Sequence, residues 1–99
     1  MKIYENEHGV LYQGDCLQIM PSLPIVDMVL TDPPFGTTAC SWDTVIPFAE
    51  MWERINALTN DNTPIALFGC EPFSSLLNVS NIKDFRYAWY GKNIKGRGF

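Results

Sequence analysis

The sequence predicts an α/β domain on a mostly parallel sheet with flanking helices, and three observations lead there. Short β-branched and aliphatic runs alternate with segments whose apolar residues recur at helical spacing. That alternation implies right-handed crossovers, and hence parallel strands. Asp15, Asp32 and Gly69 each follow a predicted strand, on the one edge where ligands bind in such sheets.

Residues 10–13 read as a short strand after the turn at Glu7-His8-Gly9, and Gly14-Asp15 ends it. Residues 16–23 read as a short helix closed by Pro21 and Pro24. Val26-Asp27-Met28-Val29-Leu30-Thr31 is a run of the kind found in a buried parallel strand. It stops at Asp32-Pro33-Pro34, and a polar loop of about ten residues continues through Asp43, a length typical of functional loops. From Val45, the residues Phe48, Ala49, Met51, Trp52, Ile55 and Leu58 mark an amphipathic helix whose Phe48, Met51 and Trp52 face the core. Thr59-Asn60-Asp61-Asn62 breaks it, and Ile65-Ala66-Leu67-Phe68 is the next strand. Phe73, Leu76, Leu77 and Ile82 mark a further helix, and residues 85–90 alternate into a last strand.

At 99 residues and 46% hydrophobic content, the chain is one small domain or a piece of a larger one, and it is too apolar for disorder. No apolar run approaches the roughly 18 residues that span a bilayer, and the start, Met1-Lys2-Ile3-Tyr4-Glu5-Asn6-Glu7, lacks the apolar stretch of a signal peptide. A cytoplasmic setting, in a bacterial cell or the host of a phage, is the expectation. Cys16, Cys40 and Cys70 are too widely spaced for a disulfide framework, and the single histidine, His8, completes no zinc site. They are expected to be buried or half-buried free thiols, with no metal bound.

The net charge of −4 hides an asymmetry. Residues 1–82 hold ten acids against Lys2 and Arg54, a balance of −8. Residues 83–99 hold Lys83, Arg86, Lys92, Lys95 and Arg97 against Asp84, a balance of +4. Such a basic segment meets phosphate or is an ordinary solvated face.

Thr31-Asp32-Pro33-Pro34-Phe35-Gly36 is the most informative stretch. Both prolines remove backbone donors and bias the preceding residue to extended geometry. The product is a stiff corner that offers a carboxylate, an adjacent carbonyl and a nearby aromatic ring. A planar amino group, with two N–H bonds to donate and a face to stack, suits that corner. Asp-Pro-Pro-aromatic arises by chance about once in 10⁵ positions at average residue usage.

Asp-Pro-Pro-Phe at the end of a buried strand resembles the catalytic tetrapeptide of amino-methyltransferases acting on DNA, most often Asp-Pro-Pro-Tyr. The resemblance extends to Tyr12-Gln13-Gly14-Asp15-Cys16-Leu17, to the Gly-Thr-Thr-Ala-Cys-Ser-Trp-Asp run at 36–43, and to Leu67-Phe68-Gly69 with Pro72-Phe73. It continues through Trp89, Lys92 and Gly96-x-Gly98-Phe99, so it covers the chain from about residue 11 onward. On these residues the chain is similar to the N4/N6 DNA methylases with permuted motif order, and to their phage and prophage members.

The resemblance implies a partial Rossmann-like methyltransferase fold that uses S-adenosylmethionine and acts on DNA. It implies that residues 1–99 are the N-terminal part of the catalytic domain, about the first third. The target-recognition region and the Phe-x-Gly-x-Gly cofactor motif are not among them, and a second chain or another copy is an expected partner. Asp32 would accept one hydrogen bond from the exocyclic amine of an extruded base and the Pro33 carbonyl the second, with Pro34 stiffening the corner. Phe35 would stack on the base. Asp rather than Ser at the first position favours adenine N6 over cytosine N4. Asp15 and Asp32 are the candidate cofactor contacts, although Asp15 is equally suited to cap the helix at Cys16. Trp42 and Asp43 either shape the base pocket or pack on the core. Lys92, with Lys95 and Arg97, either touches DNA or belongs to a solvated segment. Two other readings stay open: a non-catalytic remnant serving as a binding or assembly module, and a transferase for RNA or a protein amide, which Asn at position 32 would fit better.

Overall fold

A computed structural model describes residues 1–36, 38, 40, 41 and 43–89. In it the chain is a small mixed α/β domain. Strands β1 (Lys2–Asn6) and β2 (Gly9–Tyr12) form an antiparallel hairpin. Helix α1 (Cys16–Ile19) runs into a 3₁₀ turn at Met20–Ser22. Strand β3 (Val29–Thr31), helix α2 (Phe48–Leu58), strand β4 (Ile65–Leu67) and helix α3 (Phe73–Ser80) follow. Strands β3 and β4 pair in parallel, with Val29 opposite Ile65 and Thr31 opposite Leu67. No helix among the described residues is long and apolar enough to cross a membrane.

The core forms between α2, α3 and one face of the parallel pair. In α2, Met51, Ile55 and Leu58 fall at i, i+4 and i+7 and are buried. Phe73 and Leu77, one turn apart on α3, are buried too, and Met51, Ile55, Phe73 and Leu77 form one cluster. Val29, Ile65 and Leu67 pack against that cluster from the strands, and Phe48 and Trp52 from α2. The Trp52 indole N–H donates to Ser80 Oγ at 2.8 Å, joining α2 to α3. Arg54 Nε donates to the Leu17 carbonyl at 2.8 Å, joining α2 to α1.

Local chemistry fixes the ends of these elements. Thr59 leaves the helical region after α2, and Asn60 Oδ1 then accepts from the Asn62 amide and the Thr63 hydroxyl, which turns the chain toward β4. Before α3, the Glu71 carboxylate accepts from both hydroxyls of Ser74 and Ser75 and from the Ser75 amide, at 2.6–2.9 Å. A carboxylate there meets the positive end of the helix dipole.

Several expectations need correction. The sheet is not one mostly parallel layer: β2 belongs to a hairpin with β1, a strand that the polar residues of 1–7 concealed. Asn6 makes that turn by accepting from the His8 and Gly9 amides. The strand expected over 26–31 is only Val29–Thr31, and Leu30 is exposed because no described element covers the second face of β3. Residues 85–89 form no strand, since no described strand lies beside them to complete a ladder. The thiols of Cys16 and Cys40 are exposed, and only Cys70 is half-buried.

Two outcomes follow for stability. Ile55, 2% exposed at the centre of the cluster, should cost about 2–5 kcal/mol when replaced by Ala, read from the urea midpoint. A loss below about 1 kcal/mol would place the core elsewhere. The Ser75 hydroxyl first, then the Ser74 hydroxyl and the Ser75 amide, hold the Glu71 carboxyl below its ordinary 4.5. The folded chain therefore binds this proton less tightly than the unfolded one. The stabilisation is complete above pH 4.5 and is lost as the pH falls through the lower folded value. Glu71→Gln should flatten this acid limb when urea midpoints are compared at about pH 6 and about pH 3. An unchanged limb would deny Glu71 the role.

Candidate active site

Because β3 and β4 are parallel, their carboxyl ends lie side by side, and the Phe68 amide donates to the Thr31 carbonyl at 3.0 Å. Asp32 and Gly69 therefore leave the sheet on the same edge, as the sequence predicts. Alternation along the extended chain places Val29, Thr31 and Pro33 toward α2 and leaves Asp32 exposed. Pro33 is buried, and Pro34 and Phe35 are half-buried. The Asp32 carboxylate thus projects from a corner that packing has fixed.

Behind the corner lies a cavity of about 180 Å³, lined by Cys16 and Leu17 of α1, Thr31 at the end of β3, Pro33 just beyond it, and Met51 and Ile55 of α2, among others. Cys16 follows Asp15, and Pro33 follows Asp32, so one cavity joins the two loops that the sequence singles out. Asp15 is exposed and caps α1: its Oδ1 accepts from the Leu17 amide at 2.9 Å. It reaches the edge from the hairpin, not from a strand of the same sheet. Gly14, at φ +144°, permits that entry, with Ile19 Cδ1 only 3.0 Å from where a Cβ would stand.

The Phe35 ring lies against Phe73, with centroids 5.1 Å apart at 34°, and Phe73 in turn meets Phe48 at 5.7 Å. One side of Phe35 is thereby committed to packing, a role not apparent in the sequence. The three rings tie the corner to α2 and α3.

The residue that sequence reasoning undervalued is Asp43. It is 9% exposed, and its Oδ1 accepts from the Gly36 amide at 2.9 Å. Its Oδ2 accepts from the Thr38 amide at 2.8 Å and the Thr38 hydroxyl at 2.7 Å. Asp43's own amide donates to Cys40. The signal was a lone acid closing a loop of glycine, threonines and serine, where backbone donors have no ladder to join. Gly36 is positioned for this contact by φ +73°.

Trp42 and Lys92, with Lys95 and Arg97, lie outside the described residues. Among the described residues, no group of three or more His, Cys, Asp or Glu side chains is arranged to hold a metal ion. Comparison of the chain with protein-family models, curated proteins and solved structures returns no match.

Gly36→Ala tests the corner directly. A Cβ would stand 2.8 Å from Val45 Cγ2, in a backbone region that L-residues avoid, so the substitution should cost about 1–3 kcal/mol. Urea denaturation measures it, and a neutral substitution would show that the chain turns there without strain.

Proposed function

We propose that the chain is the catalytic segment of an S-adenosylmethionine-dependent DNA methyltransferase with a partial Rossmann-like fold, acting on the exocyclic amine of an extruded base and favouring adenine N6. The observation that carries the reading is the Asp32 carboxylate, exposed on a proline-fixed corner at the carboxyl end of a parallel strand. The motifs along the rest of the chain agree with it, as does the cavity that joins Asp15's neighbour to Asp32's.

The fit to the cofactor is incomplete among the described residues. The cavity is apolar at Leu17, Met20, Met51 and Ile55, and its volume of about 180 Å³ is below the roughly 300–1,000 Å³ of small-molecule pockets. Asp15 spends one carboxylate oxygen on its helix cap. These residues do not enclose a nucleoside cofactor.

The chemistry assigned to this chain therefore concerns the amine alone. Asp32 and the Pro33 carbonyl each accept one N–H, which holds the nitrogen in place and turns its lone pair out of conjugation with the ring. Positioning of this kind is worth up to about 7–11 kcal/mol when the geometry is near attack. The carboxylate then takes up the proton that the methylated amine releases. The solvent-accessible part of the half-buried Phe35 receives the base and offsets part of the cost of unstacking it. Its ring is steadied from behind by Phe73.

A second reading, an assembly module completed by another chain or copy, draws on the exposed Met28, Leu30 and Phe68 beside the parallel pair. One experiment separates the two: labelled S-adenosylmethionine and unmodified duplex DNA are incubated with the chain complemented by a polypeptide that supplies the Phe-x-Gly-x-Gly part of the cofactor site, and the DNA is digested to nucleosides. Label in N6-methyladenine is expected, and Asp32→Ala should abolish it while shifting stability by no more than about 0.5 kcal/mol, since Asp32 is exposed. Label only in N4-methylcytosine overturns the base assignment. Transfer retained by Asp32→Ala removes Asp32 from the role, and no transfer by the complemented, unaltered chain leaves the assembly reading.

A further inference from the structure

We propose that Asp43 is the positioning residue of the Asp32–Pro33–Pro34–Phe35 corner, the group that sets where the corner's acceptors and ring point. The inference rests on the methyl-transfer reading and extends it to a residue that touches neither base nor methyl group.

The geometry is that of a clamp. Proline rings stiffen φ at 33 and 34, but they also remove two backbone donors with which the corner could anchor itself. Downstream, the chain turns through Gly36, whose positive φ makes it the most adaptable joint in the segment. The corner is rooted in β3 on its upstream side and packed at Pro33 and Phe35, but its downstream side runs into this joint and is fixed only if the far side of the joint is held too. Asp43 holds it. One carboxylate oxygen takes the Gly36 amide, and the other takes the amide and hydroxyl of Thr38, so a single side chain fixes both residues that bracket position 37.

Charge makes the clamp strong. Hydrogen bonds to an ionised acceptor are about twice as strong as neutral ones, and burial at 9% exposure shields them from competing water. The Asp43 amide N–H also donates to the Cys40 carbonyl, so the loop closes on itself around the carboxylate. On the other side Phe35 rests on Phe73. The corner is thus held upstream by β3, and downstream by the packing of Phe35 and the Asp43 carboxylate together, which is how a scaffold keeps two acceptors within the tolerance that catalysis requires.

The test uses Asp43→Asn, which keeps the shape but loses the charge, together with Thr38→Val and Thr38→Ser in case the first variant folds poorly. Two measurements are made on each: amide hydrogen exchange at Gly36 and Thr38, and, with the chain complemented by a polypeptide that supplies the Phe-x-Gly-x-Gly part of the cofactor site, methyl transfer from labelled S-adenosylmethionine to duplex DNA. Asp43→Asn should raise exchange at both amides and lower kcat about a hundredfold with little change in the KM for DNA, as expected for misplacement by about 1 Å. Thr38→Val should lose about tenfold, and Thr38→Ser, which keeps the hydroxyl, should recover most of that. Wild-type kcat in Asp43→Asn, exchange unchanged at both amides, or a Thr38→Val enzyme as fast as Thr38→Ser each overturns the positioning role alone. Absence of transfer by the complemented, unaltered chain overturns the methyltransferase reading, and the role with it, while the exchange data still report whether the clamp exists.

Discussion

The structure depends on one contact surface, the docking of α2 onto a single face of the β3–β4 pair. Two three-residue strands in parallel have too few hydrogen bonds to persist alone. Met51 and Ile55 supply what they lack by burying one side of Val29, Ile65 and Leu67. Everything of functional interest is hung from that layer. The carboxyl ends of the strands set the origin of the Asp32 corner, Phe73 of α3 backs its ring, and Arg54 of α2 brings α1 to the same cavity.

The layer has a cost that is visible on its other side. Leu30 and Phe68 are exposed, as are Leu76 and Val79 on α3. A sheet that buries one face has only half of the apolar burial that a doubly covered α/β sheet enjoys. The core accordingly rests on five buried hydrophobic residues, and the two hydrogen bonds that α2 makes to α1 and α3 through Arg54 and Trp52 carry more of the cohesion than they would in a larger domain.

Much of this was legible in the sequence. The helix from Phe48 to Leu58 shows itself through its apolar spacing, and β4 through a run of Ile, Ala and Leu set between turn residues. Pro33 and Pro34 announced the corner because proline has few alternatives. What stayed hidden depended on partners distant in the chain or on polar residues in unusual service. The strand at Lys2–Asn6 looks like a charged leader because its pairing, not its composition, makes it a strand. Leu30 looks buried because a β-branched and aliphatic run does not reveal how many of its faces will be covered. Asp43 and Glu71 look like surface acids, and each instead gathers at least three donors from its own neighbourhood. Periodicity locates apolar contacts, but it carries no information about where a carboxylate will find its hydrogen bonds.

The bond between Trp52 and Ser80 has a consequence for how the domain comes apart. Ser80 sits in the last turn of α3, where its hydroxyl donates back to the Leu77 carbonyl at 2.6 Å while accepting the indole N–H of α2. The terminal turn of a helix ordinarily frays by itself, because its final carbonyls have no partners within the helix. Here the same hydroxyl satisfies one of those carbonyls and holds a neighbouring helix, so the turn cannot open without releasing Trp52. Fraying and undocking become a single event, and the weakest end of α3 inherits the cooperativity of the core.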